Sequence, residues 1–323
     1  MSNSQKEDNI RKVALTSLSG TSIEWYDFFL YGAAAGLVFP KLFFGEVDAT
    51  TALVLSYMTF AAGFIARPIG GIVFGHFGDL IGRKKTLVIA LMLMGISSTL
   101  IGLLPTYDTI GIAAPIILTS LRFCQGIAIG GQWGGAMLLV TESAPDHRRG
   151  YYGAYAQAGA PVGVILANMA FISVSMFTSE ESFLSWGWRI PFLISFVLVI
   201  ISMYIQLNLE DTKAFKDLES LKSIGDSTDK VVKSSPILEA LRRYPKRISL
   251  AAGAFLSVQV TFYILVAFIL AYGVQTTDLS RNDLLMAVLI GSALMVPTQF
   301  MFSDYSDKNG RKGIFMTGAA LTA

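Results

Sequence analysis

Cysteine occurs once in the 323 residues, as Cys124, so no internal disulfide can form. Histidine occurs twice, at His76 and His147, with no spacing that would suit a metal. Charge is also scarce: only 15% of residues are Asp, Glu, Lys or Arg, and the net charge is +2. So small a surplus, scattered over short segments, argues against a nucleic-acid partner. No Asn-x-Ser/Thr sequon is present. The sequence holds no G-x-S-x-G, H-E-x-x-H or P-loop pattern, which sets aside the common hydrolase, zinc-protease and nucleotide-binding chemistries. Neither an enzyme nor a cofactor is expected. The polar start, "MSNSQKEDNIRK", is followed by no small-residue cleavage site, so the first apolar segment is expected to direct insertion itself.

What the chain has in abundance is apolar length. Hydrophobic residues make up 53%, and the mean hydropathy is +0.56. Eight apolar runs can be drawn, at about 13–39, 51–78, 86–104, 111–139, 151–178, 189–209, 248–272 and 283–302, and a ninth begins at Gly313. Each is about as long as the 17–25 residues that carry a helix across hydrocarbon. The runs are continuous and do not alternate, which excludes barrel strands and leaves helices. The expected fold class is an all-α polytopic membrane bundle. With the N-terminus on the cytoplasmic side, 20 of the 25 Lys and Arg fall in inner segments and three in outer loops, so that orientation is expected. Trp186 and Trp188 then fall at the outer interface. The segment 210–247 is charged and solvated, and "SSPILEALRRYPKR" within it reads as a short surface helix or a flexible linker.

The few charges inside the apolar runs stand out. "TSIEWYDFFLY" puts Glu24 and Asp27 in the first run, Arg67 lies in the second, and Arg122 in the fourth. A charge at the centre of a span costs roughly 2.5–3.5 kcal/mol on insertion scales. At 1.5 Å per residue, all four lie about 16–20 Å from a span end, near one plane. Glu24 and Asp27 share a helix face that Tyr31 extends, and Arg122 and Gln125 share one on the fourth span. Two acids and two bases sum to zero, which suits either a fixed ion-pair staple or a binding and coupling site facing a cavity. In the second case an anionic substrate engages a guanidinium, and the carboxylate that loses its partner takes a proton. Glycines repeating every four residues, among them Gly126, Gly130, Gly71, Gly75, Gly159 and Gly163, read as close helix packing.

An internal repeat divides the chain. "GHFGDLIGRKK" at 75–85 follows the second run, and "SDYSDKNGRKG" at 303–313 follows the eighth. Aligned on Asp79 and Asp307, both read D-x-x-G-R-K, with Gly82, Arg83 and Lys84 matching Gly310, Arg311 and Lys312. This suggests a six-span half at 1–209, a cytoplasmic linker at 210–247, and a second half starting at 248.

The first copy resembles the signature of the major facilitator superfamily, with Leu80 where a base is usual. "GTSIEWYDFFLYG", "GFIARPIGGIVFGHFGD", "RFCQGIAIGGQWGGA", "ESAPDHRRGYYG" and "WGWRIPF" resemble the metabolite:proton symporter family within it, which includes carriers for shikimate, 2-oxoglutarate, citrate and proline/betaine. Its members have twelve spans, so this chain reads as truncated after the eighth. The resemblance implies a proton-coupled symporter of a small organic anion, monomeric, in the bacterial inner membrane; the alternatives are a carrier of a zwitterion such as proline or betaine, or a non-functional truncated carrier. It implies that Glu24, Asp27, Arg67 and Arg122 line the central cavity. It also implies a gating network of Gly75, Asp79, Arg83, Glu142 and Arg149 at the cytoplasmic ends, with Asp79 approaching the start of an eleventh span. Surface ion pairs are the plainer account of those charges.

Overall fold

Residues 3–81, 83–130, 137, 140–207 and 242–322 are described by a computed structural model, and among them every regular element is helical. The principal helices are α1 (Asn3–Leu37), α2 (Ala49–Ile81), α3 (Arg83–Leu103), α4 (Ala113–Gly130), α5 (Arg149–Met176) and α6 (Arg189–Leu207). After 208–241, which lie outside the described residues together with most of "SSPILEALRRYPKR", come α7 (Pro245–Tyr263), α8 (Ile269–Thr276), α9 (Arg281–Asn309) and α10 (Arg311–Thr322). A π-helical turn, Ile264–Phe268, joins α7 to α8. Asp48 caps α2 by accepting from the Thr51 amide at 3.0 Å. Hydrogen bonds from Thr51 hold its carboxyl below the usual range.

Among the described residues, five helices are long and apolar enough to cross a membrane: Ala49–Phe77, Ala113–Gly130, Asp146–Met176, Pro245–Thr276 and Arg281–Asn309. The pair Glu180–Gly187 and Arg189–Tyr204, bent by 44°, makes a sixth. The run at 86–104 appears as a shorter apolar helix, Val88–Leu103. The first run does not qualify, although α1 is 35 residues long. The reason lies in its position. From Ser22 to Ala35 nearly every residue of α1 is buried, so it faces other helices and not lipid. A helix so placed does not need an apolar surface; it needs neighbours for its polar groups.

By contacts the chain divides into two compact units, Met1–Leu209 with Val266–Gly310, and Glu210–Leu265 with Arg311–Ala323. In the second, α7 touches α10. In the first, α1 packs against α5 and α6, α2 against α4, α3 against α6, and α5 against α9. Glycine permits the closest of these approaches. A side chain on Gly126 would strike the Gly63 carbonyl, one on Gly130 the Arg67 carbonyl, and one on Gly70 the Ile127 carbonyl. On the α1–α5 contact, a Cβ on Gly163 would lie 2.5 Å from that of Trp25. The pair Gly71 and Gly75 differs from the packing reading: Gly75 has open space where its Cβ would stand, and Gly71 meets only ordinary contact. The true contact partners on α2 are Gly63 and Gly70, seven residues apart along one face.

Trp188 is also placed differently from the interfacial reading. It is fully buried, edge-on to Phe39, Phe43 and Phe192, whereas Trp186 is exposed. Beside Trp188, Arg189 stacks on its ring and donates to the carbonyls of Gly102 and Leu104 at 3.0 and 2.7 Å. That arrangement satisfies carbonyls at the end of α3, where a cation is favoured.

Candidate functional site

The charges of the first and fourth runs meet inside the bundle. Glu24, Asp27, Arg122 and Gln125 are all buried, the last two completely. Asp27 on α1 accepts at Oδ2 from the Ser98 hydroxyl of α3 and, at 3.0 Å, from Nε2 of Gln125 on α4. The same Nε2 lies 2.6 Å from Ser98 Oγ, closing a triangle. Arg122 Nη1 donates to Gln125 Oε1 at 3.0 Å. Acid and base are therefore joined through one amide. The amide has a single orientation that satisfies both neighbours, because a guanidinium only donates and an ionised carboxylate only accepts. Ser195 of α6 lies beside the Asp27 carboxyl, its hydroxyl turned back to the Pro191 carbonyl at 3.4 Å.

Aromatic rings surround the two arginines. The Arg122 guanidinium lies 4.5 Å from the ring centre of Phe28, 4.4 Å from Tyr31 and 4.7 Å from Phe60. Arg67 lies 4.4 Å from Phe28, 4.8 Å from Phe64 and 5.6 Å from Trp25. Phe28 serves both. Buried contacts of this kind are worth about 2 kcal/mol or more when desolvated. Gly63 makes room: a Cβ there would lie 2.7 Å from Arg122 Nε. The Tyr31 hydroxyl is paired with Thr59 at 2.7 Å, so Tyr31 offers Arg122 its ring and α2 its hydroxyl.

Ser98, Phe28, Phe60, Phe64 and Gly63 were not among the residues singled out from sequence. A signal did exist for the rings: Trp25 and Phe28, and Phe64 and Arg67, are spaced three apart, and Phe60 and Phe64 four apart, so each set shares a helix face.

At the other candidate cluster, Gly82 and the side chains of Asp79, Arg83 and Lys84 lie outside the described residues. Gly75 is sterically open. Glu142 is exposed, and Arg149 pairs with Asp146 at 2.8 Å. The second motif copy shows more. Asp307 accepts from the Gly150 and Tyr151 amides at 2.9 and 2.8 Å. Those amides open α5, where a carboxylate gains from the helix dipole. Next to it, Asp304 is bonded by Lys308 and lies 3.9 Å from Arg148. These residues and His147 line a cavity of about 450 Å³. Gly310, at φ 88°, ends α9; Arg311 and Lys312 are exposed at the start of α10. At the opposite end of α9, Arg281 donates to Glu180 at 2.7 and 3.3 Å and to Ser175 at 3.2 Å, with its guanidinium 4.1 Å from the Phe183 ring. Among the described residues no cluster of His, Cys, Asp and Glu could hold a metal.

Helices of membrane-spanning length around charges buried at mid-helix define a polytopic membrane protein. The family model described as Major Facilitator Superfamily matches residues 18–323, and the chain belongs to that superfamily, whose members are transporters and not enzymes. Among curated relatives, the inner membrane metabolite transport protein YhjE of Escherichia coli is 43% identical over 91% of this chain and 66% of its own length. The Escherichia coli shikimate transporter is 40% identical over 96% of this chain and 70% of its own. The Escherichia coli proline/betaine transporter is 33% identical over 97% and 63%. The chain thus spans about two thirds of the length of these relatives. A solved structure of the proton:xylose symporter XylE matches 95% of this chain and 71% of its own, with a TM-score of 0.62 at 18% identity, a likeness of fold.

Proposed function

We propose that the protein is a proton-coupled secondary transporter that moves a small organic anion across the bacterial inner membrane by alternating access. The observation that carries this is the buried connection from Arg122 through Gln125 to Asp27. Charges at this depth are expensive in a membrane, and where they occur they mark substrate and proton pathways. In this reading the carboxylate of the substrate engages Arg122 and Arg67, and Asp27 carries the proton. Glu24, near the same depth on α1, is the second candidate for that proton. A pH gradient supplies about 1.4 kcal/mol per unit for each proton moved. The bilayer and the substrate are its partners, and the carrier acts as a monomer with its N-terminus in the cytoplasm. The repeat boundaries, 1–209, 210–247 and 248–323, follow the two-half plan. The motif residues Asp79, Arg83, Glu142, Arg149 and Asp307 are assigned to gating at the cytoplasmic end.

The names of the relatives support two substrate classes, a ring carboxylate and a zwitterion such as proline or betaine. Once Asp27 takes its proton, the buried guanidinium of Arg122 and the half-buried one of Arg67 are left in excess and favour an anion, because a zwitterion brings its own cation. The test is transport in proteoliposomes, with shikimate, 2-oxoglutarate, proline and betaine as labelled probes. Asp27→Asn is expected to abolish accumulation driven by a pH gradient while leaving part of the counterflow exchange, which needs no net proton cycle. Wild-type accumulation by both Asp27→Asn and Glu24→Gln would remove the proton assignment. A preference for proline or betaine over the carboxylates would remove the anion assignment.

A further inference from the structure

The structure of the charged triad raises a question that its endpoints do not answer: how the state of Arg122 reaches Asp27. Gln125 is fully buried between them, Oε1 held by Arg122 and Nε2 held by Asp27 and Ser98. We infer that Gln125 is the positioning residue that couples substrate engagement at Arg122 to proton uptake at Asp27. The inference rests on the proposed transport reading.

The physical basis is the polarisation of one amide. A cation at Oε1 draws electron density from the nitrogen and strengthens the N–H donors that stabilise the carboxylate, since linked hydrogen bonds reinforce one another at low dielectric. Donors to an ionised carboxylate bind roughly twice as strongly as donors to a neutral acid. Withdrawal of Arg122 toward a substrate anion relaxes the amide, weakens its bond to Asp27, and favours the protonated carboxyl. In reverse, protonation leaves Oδ2 with ordinary hydrogen bonds and frees the amide to turn, which releases Arg122. The proton has a place: Oδ1 of Asp27 is buried and accepts no hydrogen bond, so it can be protonated while Oδ2 keeps its donors. The other titratable or charged groups around Asp27 are Glu24 and Tyr26 on its own helix, Arg122 on α4, and Arg67 on α2 beside Phe28. Gln125 ties Arg122 to the carboxyl.

The experiment is a double-mutant cycle read by infrared spectroscopy on the purified chain. The protonated carboxyl stretch of Asp27 is assigned by its loss in Asp27→Asn and followed at one fixed pH on the slope of its titration. Gln125→Met keeps length and volume without the polar atoms, and Gln125→Asn keeps the amide but shortens its reach; if one does not fold, the other serves. Both are expected to enlarge the band about twofold or more. Arg122→Gln is expected to enlarge it when Gln125 is present and to add less than half of that effect when Gln125 is replaced. Equal effects of Arg122→Gln in both backgrounds would show coupling through space and overturn the relay while leaving Asp27 as the proton carrier. An Asp27 carboxyl that never titrates would overturn the proton assignment and the relay with it.

Discussion

Arg122 does two jobs with one planar group. It donates through Nη1 to Gln125, and its flat face lies against Phe28, Tyr31 and Phe60. A lysine in its place keeps the charge but offers a strongly hydrated ammonium that cannot donate in a fixed fork and stack at once. Arg122→Lys is therefore expected to lose most substrate uptake, on the order of tenfold or more for the loss of a contact worth about 1.4 kcal/mol. Uptake measured in proteoliposomes at wild-type level would show that the planar group is dispensable. At this scale the sequence was informative about the polar partners on the same helix. Glu24, Asp27, Arg67 and Arg122 are rare charges in apolar runs, and Gln125 follows from Arg122 by helical spacing. It was silent about Ser98, which meets Asp27 across 71 residues, because nothing in a serine distinguishes a hydroxyl that faces a carboxylate from one bonded back to its own helix. Of the two uses of a serine, Ser98 makes both, since its hydroxyl also lies 3.0 Å from the Met94 carbonyl.

Among the elements, the α2–α4 contact sets the depth at which the site can form. Gly126 stands one residue after Gln125, against the Gly63 carbonyl, and Gly63 in turn clears the space for Arg122. The backbones must touch for Arg122 to reach the rings of α1 and α2. Gly126→Ala is expected to destabilise the protein by about 1–3 kcal/mol, the usual cost of forcing a methyl into a packed contact. Gly75→Ala, with open space around it, is expected to change thermal stability by less than about 0.5 kcal/mol. Thermal unfolding in detergent compares the two, and equal losses would contradict the close-contact reading. Sequence spacing identified Gly126 and Gly130 correctly but also offered Gly71 and Gly75, since four-residue spacing marks a face without saying what it meets. The hydropathy of α1 illustrates the same limit from the other side. Read from sequence as a span like the others, the helix is less apolar than they are and is buried at nearly every residue from Ser22 to Ala35, because burial by other helices and burial by lipid demand different surfaces. Trp188 follows that rule too: its ring finds partners in Phe39 and Phe192, which lie far from it in sequence or one turn away, while Trp186 stays exposed.

In the first compact unit, the seam between α5 and α9 is bonded at both ends. At one end Asp307 accepts from the first amides of α5; at the other Arg281 grips Glu180 and Ser175. Tyr155 and Phe300 meet edge-on near the first end, with centres 4.7 Å apart. The repeat of D-x-x-G-R-K was legible from sequence, but the partner of its second aspartate was not, since the amides at any helix start look alike on paper. The resemblance implies such a contact for Asp79; in the second copy, Asp307 accepts from the Gly150 and Tyr151 amides. An alternating carrier must release one end of such a seam while holding the other. Asp307→Asn keeps an acceptor but removes the charge that the α5 dipole favours, a loss of about 1 kcal/mol and thus roughly a fivefold rise in local opening. Hydrogen exchange of the peptide containing Gly150 and Tyr151 is expected to quicken by about that factor. If the ends alternate, exchange in the peptide containing Glu180 and Phe183 slows in the same variant, because molecules released at the Asp307 end spend more time closed at the Arg281 end. Arg281→Gln is expected to produce the mirror pattern. Faster exchange at both ends in either variant would show a static clamp that loosens as one piece, and the seam would then hold the bundle together without taking part in its cycle.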